Sequence, residues 1–238
     1  MPALRFHRRR LPVWLLLASA LCAAAPGCQS WPRDSNDGAG GLVRDRDHQF
    51  RQEVDSWKEI REEDVVMQRH DYSCGAAAMA TVAQYYWNDN LTEDAILKTI
   101  LRTLTPEEHL DRLKNGLSLA DMRHAAVNSG YLASIGKLEI AKLSGLKIPI
   151  IVRIVVNGQD HFVVVRGMVG DRVFLADPIR GKIRLSVYEF AEQWQDRALL
   201  VMVKKGVKPP TSSPLLVAQH EPVQPELQAG RRSLFLTR

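Results

Sequence analysis

Residues 150–185, IIVRIVVNGQDHFVVVRGMVGDRVFLADPIRGKIRL, constrain the fold of this chain more than any other stretch. Runs of Val, Ile and Phe too short for helices are broken by Asn157-Gly158, Gly170-Asp171 and Gly181-Lys182, and such dipeptides between β-branched runs mark hairpins. The pattern predicts strands over Ile148–Val156, His161–Met168, Arg172–Ala176 and Ile183–Leu185, then a short helix over Val187–Trp194 and a closing strand over Ala198–Lys204. In the first two strands residues of both parities are apolar, as in central strands covered on both faces. An antiparallel sheet therefore dominates the second half.

Before Gly130 the period is helical. A small-residue run, Cys74–Trp87, follows Ser73 as a candidate N-cap, and Leu91–Leu104 comes next. Thr105-Pro106-Glu107-Glu108 opens Thr105–Asn115, and Ser118 precedes Leu119–Ser129. Helices first and strands second predict an α+β fold, its N-terminal helical half packed on one face of a C-terminal antiparallel sheet. No internal repeat is visible, which argues against a solenoid.

The ends differ from this middle. Arg5, Arg8, Arg9 and Arg10 precede an apolar run from Leu11 to Ala25 that is short for a membrane span, so residues 1–28 read as an export signal, with an uncleaved anchor as the alternative. Cleavage after Ala25 is one option; Ala25-Pro26-Gly27-Cys28 also resembles a lipoprotein site, with Ala25 where Leu is usual, which would lipidate Cys28. Residues 29–61, polar and rich in Gly and Asp, read as a linker, residues 62–204 as the domain, and residues 205–238 as a flexible tail. The apolar patch Ser233-Leu234-Phe235-Leu236 near the end is a candidate docking segment. The formal net charge is +5, of which the four leading arginines supply four. About +1 remains, too little for a phosphate-binding footprint, and a nucleic-acid role is set aside.

Export sharpens the question of Cys74. Of the three cysteines, Cys22 and Cys28 belong to the signal region, so Cys74 has no partner for the disulfide that an oxidising compartment favours. It stands at the first turn of a predicted helix, where unpaired N–H groups and the macrodipole favour a thiolate nucleophile. Gly75 allows close backbone approach there, and Ala76–Ala78 would form an uncrowded floor for a substrate chain. The bland reading, a small buried core cysteine, competes. A metal site from His70, Asp71 and Cys74 lacks a closing ligand pair.

Seven histidines compete as a base. His161 stands apart because it opens a buried strand directly after a turn. If the next hairpin turns through Met168-Val169-Gly170, Gly167 pairs with Asp171 and His161 falls opposite Asp177, close enough to orient the imidazole. A two-residue loop would put the pair on opposite faces. Gln68, six residues before Cys74, is a candidate oxyanion donor beside the Cys74 N–H.

Gln68-x5-Cys74-Gly75, with His161-Phe162-Val163-Val164-Val165 and Asp177-Pro178 downstream, resembles the double-glycine peptidases, papain-like cysteine proteases known as bacteriocin-processing domains of peptide exporters. The resemblance covers residues 62–204 and implies a papain-like fold with Cys74 as nucleophile, His161 as general base, Asp177 as its orienter and Gln68 as oxyanion donor. It implies cleavage of a peptide bond after a small-residue, Gly-Gly-like motif, with no metal or organic cofactor. Without transporter segments and with an export signal, the chain looks like the stand-alone periplasmic members found with functional-amyloid (Fap-type) secretion systems. Expected partners are then an exported protein or peptide with small residues at the cleavage site and outer-membrane secretion components; membrane contact would run only through the signal or a lipid on Cys28. The family also contains inactive copies that hold substrates, so a non-hydrolytic docking module is the alternative, and acyl transfer by the same triad is a third. Such copies tend to lose the cysteine that is present here. Gly116–Gly145 matches the family only loosely, and specificity is expected there.

Overall fold

The computed structural model describes residues 40–44, 49–53 and 55–217. The export signal, Cys28 and the Ser233–Leu236 patch lie outside the described residues.

Five helices precede the main sheet: α1 (Trp57–Glu62), α2 (Cys74–Tyr85), α3 (Glu93–Leu101), α4 (Pro106–Asn115) and α5 (Leu119–Asn128). Ser56, Thr105 and Ser118 close capping boxes with Glu59, Glu108 and Asp121, so three helix starts are fixed by local sequence alone. Then follow β3 (Tyr131–Lys137), a 3-10 segment (Ile140–Gly145), β4 (Ile150–Val156), β5 (Gln159–Val169), β6 (Arg172–Asp177), β7 (Gly181–Ser186), α6 (Val187–Gln193) and β8 (Ala198–Lys204). These strands form an antiparallel sheet in the order β3-β8-β4-β5-β6-β7, which sets β4 and β5 in the interior.

The doubly apolar strands are covered on both sides. Ile151, Phe162, Val164 and Ala176 join the core built by α2, α3 and α5, whereas Ile150, Val152, Ile154, Val163 and Val165 join Phe190, Trp194 and Leu143 on the other face. Helices were expected on one face only; α6 and the 3-10 segment close the second, because side chains of both parities need cover. Trp194 and Phe190 are fully buried there.

Three further expectations change. The segment read as a linker holds a short antiparallel ladder, β1 (Gly40–Arg44) with β2 (Gln49–Glu53), and then α1. Between α5 and β4 the chain forms β3, an edge strand with only Tyr131 buried, whose exposed Leu132 and Ile135 mask any alternation. The tail read as loose from residue 205 is laid along the domain as far as Val217. Ser213 Oγ donates to the Tyr85 carbonyl at 2.7 Å, Arg166 Nη2 donates to the Pro214 carbonyl at 3.2 Å, and Leu215 is fully buried. Proline and serine content conceals a single anchoring leucine.

Candidate active site

Cys74 is the first residue of α2 and only 6% exposed. Ser73 holds the N-cap position but does not cap. Its hydroxyl donates backwards to the His70 carbonyl at 2.7 Å and accepts from the His70 N–H at 3.2 Å, so among the described residues no side-chain oxygen caps the first N–H groups of the helix. Those donors and the positive end of the dipole are left to whatever lies at Cys74. The neighbouring small residues have a different task from the one expected of them. Ala76, Ala77 and Ala78 are fully buried core, not a substrate floor. At Gly75 an added Cβ would stand 2.7 Å from Met122 Sδ and 3.3 Å from Phe162 Cδ2, so its smallness lets α5 and β5 close on the helix start.

His161 meets Asp177 by a route other than the expected register. Val169 pairs with Arg172, and the turn is the two-residue Gly170-Asp171. An uninterrupted ladder from that turn would place residues 161 and 177 on opposite faces, because faces alternate at every residue. The ladder is interrupted. Gly167 pairs with Phe174 and Val165 with Leu175, which leaves Arg166 as an extra residue on β5. This β-bulge moves the register by one and returns His161 to the face of Asp177. From Val164↔Ala176 one further step sets Asp177 level with Val163, so the pair meets on a diagonal.

The Asp177 carboxylate is fully buried and well supplied with donors. Oδ1 accepts from His161 Nε2 at 2.8 Å, from the Ile179 N–H at 2.8 Å and from the Arg180 N–H at 3.2 Å, while Oδ2 accepts from Arg180 Nε at 2.7 Å. An ionised carboxylate only accepts, so the Nε2 proton sits on the Asp177 side and Nδ1 is the nitrogen left for Cys74. Sequence reasoning missed Arg180. The signal was present: an Asp before Pro turns its carboxylate onto the N–H two residues on, and an arginine at the third position lies within reach.

Gln68 is tied to the same corner by its backbone, its N–H donating to the Pro178 carbonyl at 2.9 Å. Its side-chain Nε2 donates to the His70 carbonyl at 3.0 Å, and its Oε1 is buried without a partner among the described residues. The structure thus unites Cys74, His161 and Asp177 and ties Gln68 to the Pro178 turn, with its amide engaged in the loop. His70, stacked on Tyr72 at 5.5 Å, is a loop residue.

Burial acts against the charged form of both members of the pair, yet the partners prevail. For His161 the hydrogen bonds to Asp177 and Cys74 and the charges of both raise the imidazolium to about 9. For Asp177 the His161 hydrogen bond and charge, the Ile179 N–H and the Arg180 charge bring the carboxyl down to about 2. The histidine contribution to stability is therefore whole below its ordinary 6.5 and is lost as pH rises through 9. The aspartate contribution is whole above 3.8 and is lost as pH falls towards 2. The urea midpoint of wild type should accordingly exceed that of His161→Gln by most near pH 6 and by progressively less from 6.5 to 9. A gap constant across that window would contradict the assignment.

A helix-led thiol beside a histidine–aspartate pair, on an antiparallel sheet with helices across it, defines a papain-like cysteine peptidase. Residues 62–206 match the Peptidase C39 family, and the chain belongs to that family. It is 34% identical over 197 residues to the probable functional amyloid protease FapD of Pseudomonas fluorescens, a match spanning 82% of this chain and 80% of the relative. It is 37% identical over 155 residues to the protein of the same description in Pseudomonas aeruginosa, spanning 65% of this chain and 64% of that one. Among solved structures, the peptidase domain of Streptococcus ComA, a bi-functional ABC transporter, superimposes with a TM-score of 0.50 at 21% identity, over 59% of this chain and 98% of that domain. No described helix is long and apolar enough to cross a membrane.

Proposed function

We propose that Cys74, His161 and Asp177 hydrolyse a peptide bond on the carboxyl side of a small-residue, Gly-Gly-like motif in an exported protein or peptide. The observation that carries this reading is the linked set itself: the thiol at an uncapped helix start, hydrogen-bonded to a histidine whose other nitrogen is held by a buried aspartate. In the first step the Cys74 thiolate, its proton already resting on His161 Nδ1, attacks the carbonyl carbon, and the oxyanion forms beside the helix N–H groups. Gln68 adds a second donor once its amide turns from the His70 carbonyl. His161 then returns the proton to the leaving amine. In the second step it takes a proton from water as the water oxygen attacks the thioester, and the sulfur leaves as thiolate beside the restored imidazolium.

The two relatives described as probable functional amyloid proteases support the context. We place the protein in the periplasm, free or held by a lipid on Cys28, acting on a substrate of an amyloid-secretion system and alongside its outer-membrane components. Selectivity would arise beside a cavity of about 290 Å³ lined by Gly116, Leu117, Ser118, Leu119 and Phe162, part of the segment expected to carry specificity.

The test uses a synthetic peptide with an internal Gly-Gly, digested in H₂¹⁸O. A single new carboxylate carrying one heavy oxygen after the second glycine is expected, and replacing that glycine by valine should lower kcat/KM about a hundredfold. Peptide that binds but stays intact would establish a docking module instead, and transfer of the acyl group to an added amine in place of water would establish a transferase.

A further inference from the structure

We propose that Arg180 is a positioning residue of this site, one that fixes the Asp177 carboxylate and through it sets the proton affinity of His161. The inference rests on the reading of His161 as the base of Cys74. Asp177 has two carboxylate oxygens and they are unequally shared. Oδ1 serves His161 and two backbone N–H groups, whereas Oδ2 receives Arg180 Nε at 2.7 Å. Without that contact the carboxylate could rotate about its bond to Cβ and carry the imidazole with it. An ion pair three residues apart on a surface would be worth little. Here the acceptor is fully buried, so solvent does not compete for it.

The backbone around Arg180 is clamped from the other side. The Gln68 N–H holds the Pro178 carbonyl, and Gly181, at φ 75°, lies so close to α1 that an added Cβ would overlap the Arg61 carbonyl. Lys182 Nζ, one residue further, binds Asp64 Oδ2 at 2.7 Å. Arg180 therefore projects from a turn secured on both sides of its own position, as a group that must hold an angle requires.

Among the described residues, few charges face the pair. Asp177 and Cys74 act on His161, and His161 and Arg180 act on Asp177. The nearby Lys182 is matched by Asp64, and Arg153 by Asp160 and Asp196. Arg180 is thus the cation that shares the carboxylate with the imidazolium. Removing it leaves the full negative charge to His161, so the imidazolium should hold its proton more tightly.

The experiment is an NMR titration of the imidazole nitrogens in the full-length protein, with the His161 resonance assigned by its loss in His161→Gln. Arg180→Gln should move the His161 titration upward by about one pH unit. Arg180→Lys, which keeps the charge, should stay within a few tenths of wild type. In the peptide assay the loss in Arg180→Gln should fall on kcat with KM little changed. A titration unmoved in Arg180→Gln, with only the melting temperature lowered, overturns the proposal. If Arg180→Gln does not fold, a shift of a full unit in Arg180→Lys overturns it equally. The titration is read without turnover, so its failure is distinguishable from failure of the peptidase reading, which the cleavage assays decide.

Discussion

Cys74→Ala should lower peptide cleavage by on the order of 10⁴-fold or more while leaving KM within a few-fold of wild type. The side chain is almost fully buried, and turning CH2SH into CH3 removes only the volume of one sulfur, so a loss of this size is not one of folding. Its coincident thermal transition checks that. His161→Gln should cost a similar factor, because a nucleophile without its base and a base without its nucleophile are both idle. The double variant should then be no worse than either single one. Product release followed by mass spectrometry reads all three. Residual cleavage within about tenfold of wild type in Cys74→Ala would remove the covalent mechanism altogether.

Much of the domain can be read from its residues because local chemistry and global fold agree there. The dipeptide Asn157-Gly158 does form the β4–β5 turn, with both residues at positive φ, and both faces of the strands that flank it are buried as their doubly apolar sequence requires. Thr105-Pro106 and Ser118 start their helices where expected. Other features have no local signature. The β-bulge at Arg166 lies in a run, Val163-Val164-Val165-Arg166-Gly167, that reads as regular strand, yet that one extra residue decides whether His161 faces Asp177. The expected pair came together although the register proposed for it was wrong. Ser73 shows the converse. It is the right residue type for a cap, but the loop before it takes its hydroxyl and leaves the helix start open. Arg180 required knowing that the Asp177 carboxylate has a second oxygen to satisfy, which pairing patterns cannot reveal.

Gly181→Ala should be the most damaging small substitution in the turn that carries Asp177. The residue sits at φ 75°, where an L side chain costs about 1–2 kcal/mol. More importantly, an added Cβ would overlap the carbonyl of Arg61, and backbone cannot swing aside as a flexible side chain can. Relief requires α1 to lift from the β6–β7 turn, which would disturb the Lys182–Asp64 ion pair and the Gln68–Pro178 hydrogen bond together. A loss of at least about 3 kcal/mol is expected, or a melting temperature lower by about 10 °C. Gly158→Ala is the control. Its φ is 78° but nothing stands within 4 Å of the added Cβ, so it should cost only the strain of about 1–2 kcal/mol. Urea denaturation of the two variants separates strain from collision. The folded fraction of Gly181→Ala should also cleave more slowly than wild type, since Asp177 and Arg180 hang from the displaced turn, whereas Gly158→Ala should keep its rate. Equal stabilities for the two would mean that α1 yields freely, and the corner that holds the aspartate would then be looser than its contacts imply.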